Sequence, residues 1–148
     1  MTATLLDTLT SKHGLPLVDE TTIDAFLMPG AGEAAHSILF FAGDPAQRAE
    51  TTDVAVILPE LIACFGKRLR GGLVAQGYEK ALKDRFHVLV LPSLVVCRGT
   101  IPVAVLPRVL DWAEYVERIH ASLASDAPEV QPKRANVPFT IAQGGQPL

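Results

Sequence analysis

The side chains able to do chemistry in this chain are few and scattered. Cys64 and Cys97 are its two thiols. A dithiol oxidoreductase needs a thiolate of lowered pKa with a resolving thiol in bonding reach. Here Cys64 sits late in a helical pattern, in the apolar run LIACF, and Cys97 ends an apolar strand pattern. Each reads as a small packed hydrophobe rather than a nucleophile. Neither stands at a polar helix start, which disfavours a one-cysteine peroxidase for the same reason. With no basic, apolar leader across Met1 to Thr10, free thiols are expected rather than a disulfide. His13, His36, His87 and His120 have no carboxylate or cysteine at metal-ligand spacing, and Glu33 with His36 falls in a Gly-rich connection, so no metal site is expected. No G-x-G-x-x-G, Walker loop or G-x-S-x-G occurs, and Gly71-Gly72 reads as easing a strand start rather than cradling a phosphate. No catalytic residue and no cofactor are assigned. What is left is binding.

Composition narrows the partner. At 148 residues, 49% hydrophobic and 20% charged, the chain is long enough for one globular domain with a full core. A net charge of −3 and a pI near 5.8 disfavour nucleic acid or an anionic membrane, both of which ask for a basic face. Lys67, Arg68 and Arg70 form the one dense basic cluster and read as a solvated helix end or turn. The apolar runs fall short of the roughly 18 residues a membrane span needs. A cytoplasmic protein without membrane insertion is expected.

The elements that must position any binding residues centre on Phe86 to Gly99, FHVLVLPSLVVCRG. An unbroken apolar run suggests a strand covered on both faces, yet Pro92 cannot donate a ladder bond, so the run splits there. The part before Pro92 reads as a buried extended loop, and Ser93 to Cys97 as a strand. The Leu91-Pro92 bond is expected to be cis, the isomer that lets an extended segment enter a strand through a tight corner.

Around this centre, Thr4 to His13 reads as a short amphipathic helix ended by Gly14, and Leu15 to Val18 as an extended segment. Asp19 or Thr21 caps a helix through Leu27 with Ile23, Phe26 and Leu27 inward. Ser37 to Ala42 is apolar on both faces, the pattern of a central strand, and GDPAQRAETTD after it reads as a polar loop. Val54 to Phe65 has a helical pattern that Pro59 should kink. A short strand over Gly71 to Gln76 and a helix over Tyr78 to Phe86 with Tyr78, Leu82 and Phe86 aligned come next. Ser93–Cys97 and Ile101–Leu106 are close enough to form an antiparallel hairpin, which Pro107 stops. Asp111 and Glu114 have the spacing of a capping box, opening a helix on which Trp112, Val116, Ile119 and Leu123 share a face. From Asp126 to Leu148 prolines and a Gly-Gly pair dominate, so a domain over 1–125 and an extended or disordered tail over 126–148 are expected, with Val137, Phe139 and Ile141 as its apolar anchors.

Once the first helix is set aside, a βαβ unit followed by ββα, with a proline just ahead of the hairpin, is similar to the thioredoxin-like fold: an α/β architecture with a mixed central sheet and helices on both faces. FFAGDPAQ resembles the strand and active-site turn of thioredoxins, and VLPSLVVCRG their strand entry at the cis-proline. Asp44, Pro45, Ala46 and Gln47 stand where thioredoxins carry Cys-x-x-Cys. The GDP turn, the polar insertion before VILPEL, DRFHVLVLPSLVV and the DWAEY helix start together resemble the hydrogenase-expression accessory proteins of the HyaE/HupG type, which are thioredoxin-like without the redox motif.

The resemblance implies a chaperone in assembly of nickel-iron uptake hydrogenases. Its partner is the small-subunit precursor, held by the twin-arginine signal peptide, with other hydrogenase maturation proteins as further partners. A thiol-disulfide oxidoreductase and a scaffolding subunit of the maturation machinery stand as alternatives. In such a fold the residue before the cis-proline offers backbone N–H and C=O groups to an extended peptide. Leu91 and Pro92, with Asp44, Pro45, Ala46 and Gln47, are therefore the candidate peptide-binding residues. Asp44, Glu50 and Asp53 would add attraction for a basic peptide.

Overall fold

Strand patterning decides the layers. In β2 (His36–Phe41), Ile38 and Phe40 point to one face and Leu39 and Phe41 to the other, and all four are fully buried. β4 (Ser93–Arg98) repeats this, Leu94 and Val96 on one face, Val95 and Cys97 on the other. Strands apolar on both sides must be covered on both sides. The computed structural model describes residues 5–44 and 46–131, and the cover is α1 (Leu5–Ser11), α3 (Ala49–Phe65) and α5 (Trp112–Ser122) on one face. On the other lie α2 (Ile23–Leu27) and α4 (Glu79–Lys83), with Phe86 and Val88 just after α4.

With β1 (Leu17–Val18), β3 (Arg70–Val74) and β5 (Ile101–Pro107), the sheet has five strands in the order β1-β3-β2-β4-β5. β3 runs parallel to β1 and β2, while β2–β4 and β4–β5 are antiparallel. That is the thioredoxin-like arrangement, a parallel core carrying an antiparallel hairpin at one edge. The Leu91-Pro92 peptide is cis.

Gly71 and Gly72 earn their place in β3 through packing. A Cβ on Gly71 would lie 2.4 Å from Ile62 Cδ1, and one on Gly72 2.8 Å from Phe26 Cζ. The helices on the two faces thus rest directly on the β3 backbone.

Several local expectations differ from the structure. α3 starts at Ala49, inside the stretch read as loop, because Asp44 folds the preceding residues into a turn: its C=O accepts the Gln47 and Arg48 N–H groups. Thr51 then anchors the first turn, its hydroxyl donating to Ala42 C=O at 2.6 Å. Pro59 lies within this helix. The approach to Pro92 is buried at Phe86 and Val88 but exposed at Leu89 and Val90, since only the first two reach the core beneath the sheet. Tyr78, expected to align with Leu82 and Phe86, is exposed.

Asp111 takes the N-cap position of α5, but its side chain makes no capping bond, and Glu114 faces Arg118 at 3.7 Å instead. The buried face of α5 carries Tyr115, Ile119 and Ser122, and Trp112 is exposed. Tyr115 takes the inward place because its hydroxyl donates to Arg108 C=O and accepts the Leu110 N–H, both at 3.2 Å, so its polar tip is satisfied. The tail leaves along β5, where Val130 N–H donates to Pro102 C=O at 2.9 Å. Val137, Phe139 and Ile141 lie outside the described residues.

Candidate functional site

Where β2 ends, the chain must turn to enter α3, and Gly43 makes that turn at φ +75°, a conformation that glycine adopts without a Cβ penalty. A Cβ there would also stand 3.1 Å from Leu91 Cβ and 3.0 Å from Arg48 Cδ. Gly43 is therefore the point on which the approach to Pro92 and the entry to α3 converge. Its own backbone is held from α4 and the loop before it: Gly43 N–H donates to Glu79 Oε2 at 3.0 Å, and Gln76 Nε2 donates to Gly43 C=O at 3.0 Å. Glu79 Oε1 also accepts Gly77 N–H at 3.2 Å, so a buried carboxylate clamps two loops.

The residues picked out from sequence divide here. Leu91 is half-buried and Pro92 buried, and Leu91 sits against Gly43. Asp44, Ala46 and Gln47 are exposed at the turn, with Asp44 Oδ1 accepting the Ala46 N–H at 2.9 Å; Pro45 lies outside the described residues. Beside them opens a groove of about 450 Å³ lined by Gln47, Arg48, Ala49, Glu50, Leu91 and Arg108. On either side of Leu91 the carbonyls are used, Val90 C=O by Ser93 Oγ and Pro92 C=O by Arg108 N–H. The N–H and C=O of Leu91 itself have no partner among the described residues.

The sequence and the fold are similar to those of known proteins. The family model for the hydrogenase-1 expression protein HyaE matches residues 5–115. The chain belongs to the HyaE family. Among its relatives, the hydrogenase expression/formation protein HupG of Rhizobium leguminosarum bv. viciae is 55% identical over 128 residues, 86% of each chain. HoxO of Azotobacter vinelandii, named likewise a hydrogenase expression/formation protein, is 39% identical over 143 residues, 97% of this chain and 90% of the relative. A crystal structure of a hydrogenase expression/formation protein HupG from Rhodopseudomonas palustris is 41% identical, with TM-score 0.52, and covers 76% of this chain and 99% of that one.

In this HyaE-family chain the thiols stand away from the groove. Cys64 lies in the last turn of α3, roughly 22 Å along the helix from Ala49 at 1.5 Å per residue, and it is exposed, not packed as its apolar run suggested. It sits on the side of α3 turned from the core, whose buried positions are Leu58, Leu61 and Phe65. Cys97 is buried near the far end of β4, and burial pushes its thiol up to about 12, with Arg85 opposing weakly. Among the described residues no cluster of His, Cys, Asp and Glu could hold a metal ion, and no helix is long and apolar enough to cross a membrane.

Three residues of the corner escaped sequence reasoning: Glu79, Arg48 and Arg108. Glu79 looks like any acidic residue in a first helical turn, and its partner Gly43 is 36 residues earlier. Arg108 is fixed at φ +60° and pairs with Glu50 Oε1 at 3.0 Å. The charge of Glu50, expected to attract a basic peptide, is thus matched within the protein. Arg48 makes no side-chain hydrogen bond or ion pair among the described residues.

Proposed function

We propose that this HyaE-family chain is a non-catalytic chaperone in nickel-iron hydrogenase assembly that grips the twin-arginine signal peptide of the small-subunit precursor as an added antiparallel strand at Leu91. The observation that carries this reading is that the N–H and C=O of Leu91, just ahead of β4 and beside an open groove, have no partner among the described residues, while the carbonyls on either side are engaged. Backbone pairing of this kind gives affinity to an extended segment with little demand on its sequence. Exposed Leu89 and Val90 extend the same edge with apolar surface, suited to the apolar part of a signal peptide. Gln47, at the end of the turn that Asp44 opens, lines the groove together with Arg48. The placement of both thiols away from the groove supports a binding role over disulfide exchange.

A fluorescence-anisotropy titration with the labelled signal peptide of the hydrogenase small subunit tests the reading. Leu91→Pro removes one N–H and should weaken binding about fivefold, the equivalent of a hydrogen bond of about 1 kcal/mol. Asp44→Ala, which loosens the turn, should weaken it less. Unchanged affinity in both folded variants rejects the groove. Recovery of the precursor with its signal intact, on co-purification from hydrogenase-producing cells, is the expected result in vivo.

A further inference from the structure

The groove beside Leu91 has a charge character that strand pairing alone does not explain. Arg48 runs back over Gly43, its Cδ and Nε 3.0 and 3.2 Å from where a Gly43 Cβ would be, and Leu91 Cβ converges on that same point at 3.1 Å. Arg108 forms another part of the lining and is the sole partner of Glu50 among the described ion pairs. With Glu50 matched by Arg108, the guanidinium of Arg48 is the charge of the groove lining that has no partner among the described residues; the Asp44 carboxylate, which accepts the Ala46 N–H, lies outside that lining. The lining itself, Arg48 and Arg108 against Glu50, is net cationic on a chain whose net charge is −3.

In an antiparallel pair, directly opposed residues place their side chains on the same face. Leu91 Cβ and the Arg48 side chain both approach Gly43, so the partner residue facing Leu91 puts its own side chain on the side where Arg48 lies. We infer that the groove takes an extended segment with a carboxylate, Asp or Glu, facing Leu91 and paired with Arg48. The inference rests on the strand-pairing reading of Leu91 and deepens it. It places a basic pair such as twin arginines outside the groove, because a cation beside Arg48 is repelled. A guanidinium–carboxylate pair is charge-assisted and can be bidentate, which makes Arg48 a selector rather than an anchor.

The test uses the full chain and three short synthetic peptides, Val- and Thr-rich, identical except for a central Glu, Gln or Lys. The Glu peptide should bind roughly two- to fivefold tighter than the Gln peptide, with the Lys peptide weakest, and the gap should narrow as salt rises. Arg48 is exposed, and Arg48→Ala should bring Glu and Gln to parity, while Arg48→Glu should favour Lys. Equal binding of Glu and Gln peptides to the unmodified protein overturns the carboxylate preference. N-methylation of the peptide at its central residue separates the two layers without altering the protein. Loss of affinity on methylation, with Glu and Gln equal, leaves strand pairing standing and removes only the Arg48 role. Indifference to methylation, or binding of no peptide, overturns the pairing and the preference together.

Discussion

Glu79→Ala is the most telling perturbation of this corner, because one buried carboxylate holds two loops. Its removal strips Gly43 N–H of the acceptor at 3.0 Å and Gly77 N–H of the acceptor at 3.2 Å. Gly43 is buried, so its N–H cannot turn to water, and an orphaned buried donor costs about 1–3 kcal/mol. Gly77 is exposed and water replaces most of what it loses. The expected loss is about 2–3 kcal/mol, a fall in Tm of about 10 °C for a domain of this size. Glu79→Gln keeps one carbonyl acceptor but turns an NH₂ toward the other donor, so about half the loss is expected. Calorimetry gives the first quantity, and amide hydrogen exchange at Gly43 the second: protected in the parent, fast in Glu79→Ala. Signal-peptide affinity should fall with the protection, since Leu91 rests on Gly43. Unchanged Tm together with a still-protected Gly43 amide would refute the clamp.

Three further outcomes follow from the packing and the titrating groups. In the native state one thiol per chain, Cys64, should react with a disulfide reagent at pH 8, with Cys97 reacting only in denaturant; two fast native thiols contradict the placement of Cys97 at about 12 in the core. Gly71→Ala should cost about 1 kcal/mol through its approach to the Ile62 Cδ1 methyl, which can turn aside, and Ile62→Ala should rescue part of that in a double-mutant cycle; strictly additive losses rule out the contact. His36 is half-buried, its Nε2 has no hydrogen-bond partner among the described residues, and its pKa is lowered from 6.5 by burial first and then by Arg98 and Arg68. The unfolded chain therefore takes up the proton first, so the His36 contribution to stability is full above about pH 6.5 and declines as pH falls below it. Denaturant midpoints at about pH 7.5 and 5.5 should differ less in His36→Gln than in the parent, and an equal difference dismisses His36 as the source.

The local apolar patterns went furthest in the sequence. Both faces of Ile38–Phe41 and of Leu94–Cys97 are apolar, which forces a two-sided cover, and Pro92 marks where an apolar run must break. From these the strands and the hairpin were legible, because each rests on short-range periodicity and a fixed chain order; that the Asp44 turn would face Leu91 followed only from the resemblance to thioredoxins. What resisted were features set across the fold. Trp112 or Tyr115 could each have led the inward stripe of α5; the partners offered by Arg108 C=O and Leu110 N–H chose Tyr115. Cys64 lies in an apolar run yet faces out, because which side of α3 meets the sheet is settled by Leu58, Leu61 and Phe65 together.

Sequence alone determined the order of elements, the coverage of both sheet faces and the absence of a Cys-x-x-Cys at the turn, since these depend on residue type and neighbouring positions. Tertiary structure alone decided the electrostatics of the groove: Glu79 reaching Gly43, Arg108 matching Glu50, and Arg48 beside Gly43 with no partner for its charge among the described residues. Coulomb and hydrogen-bond partners are chosen by distance in space, and nothing in the spacing of these residues along the chain brings them within a few ångströms of one another.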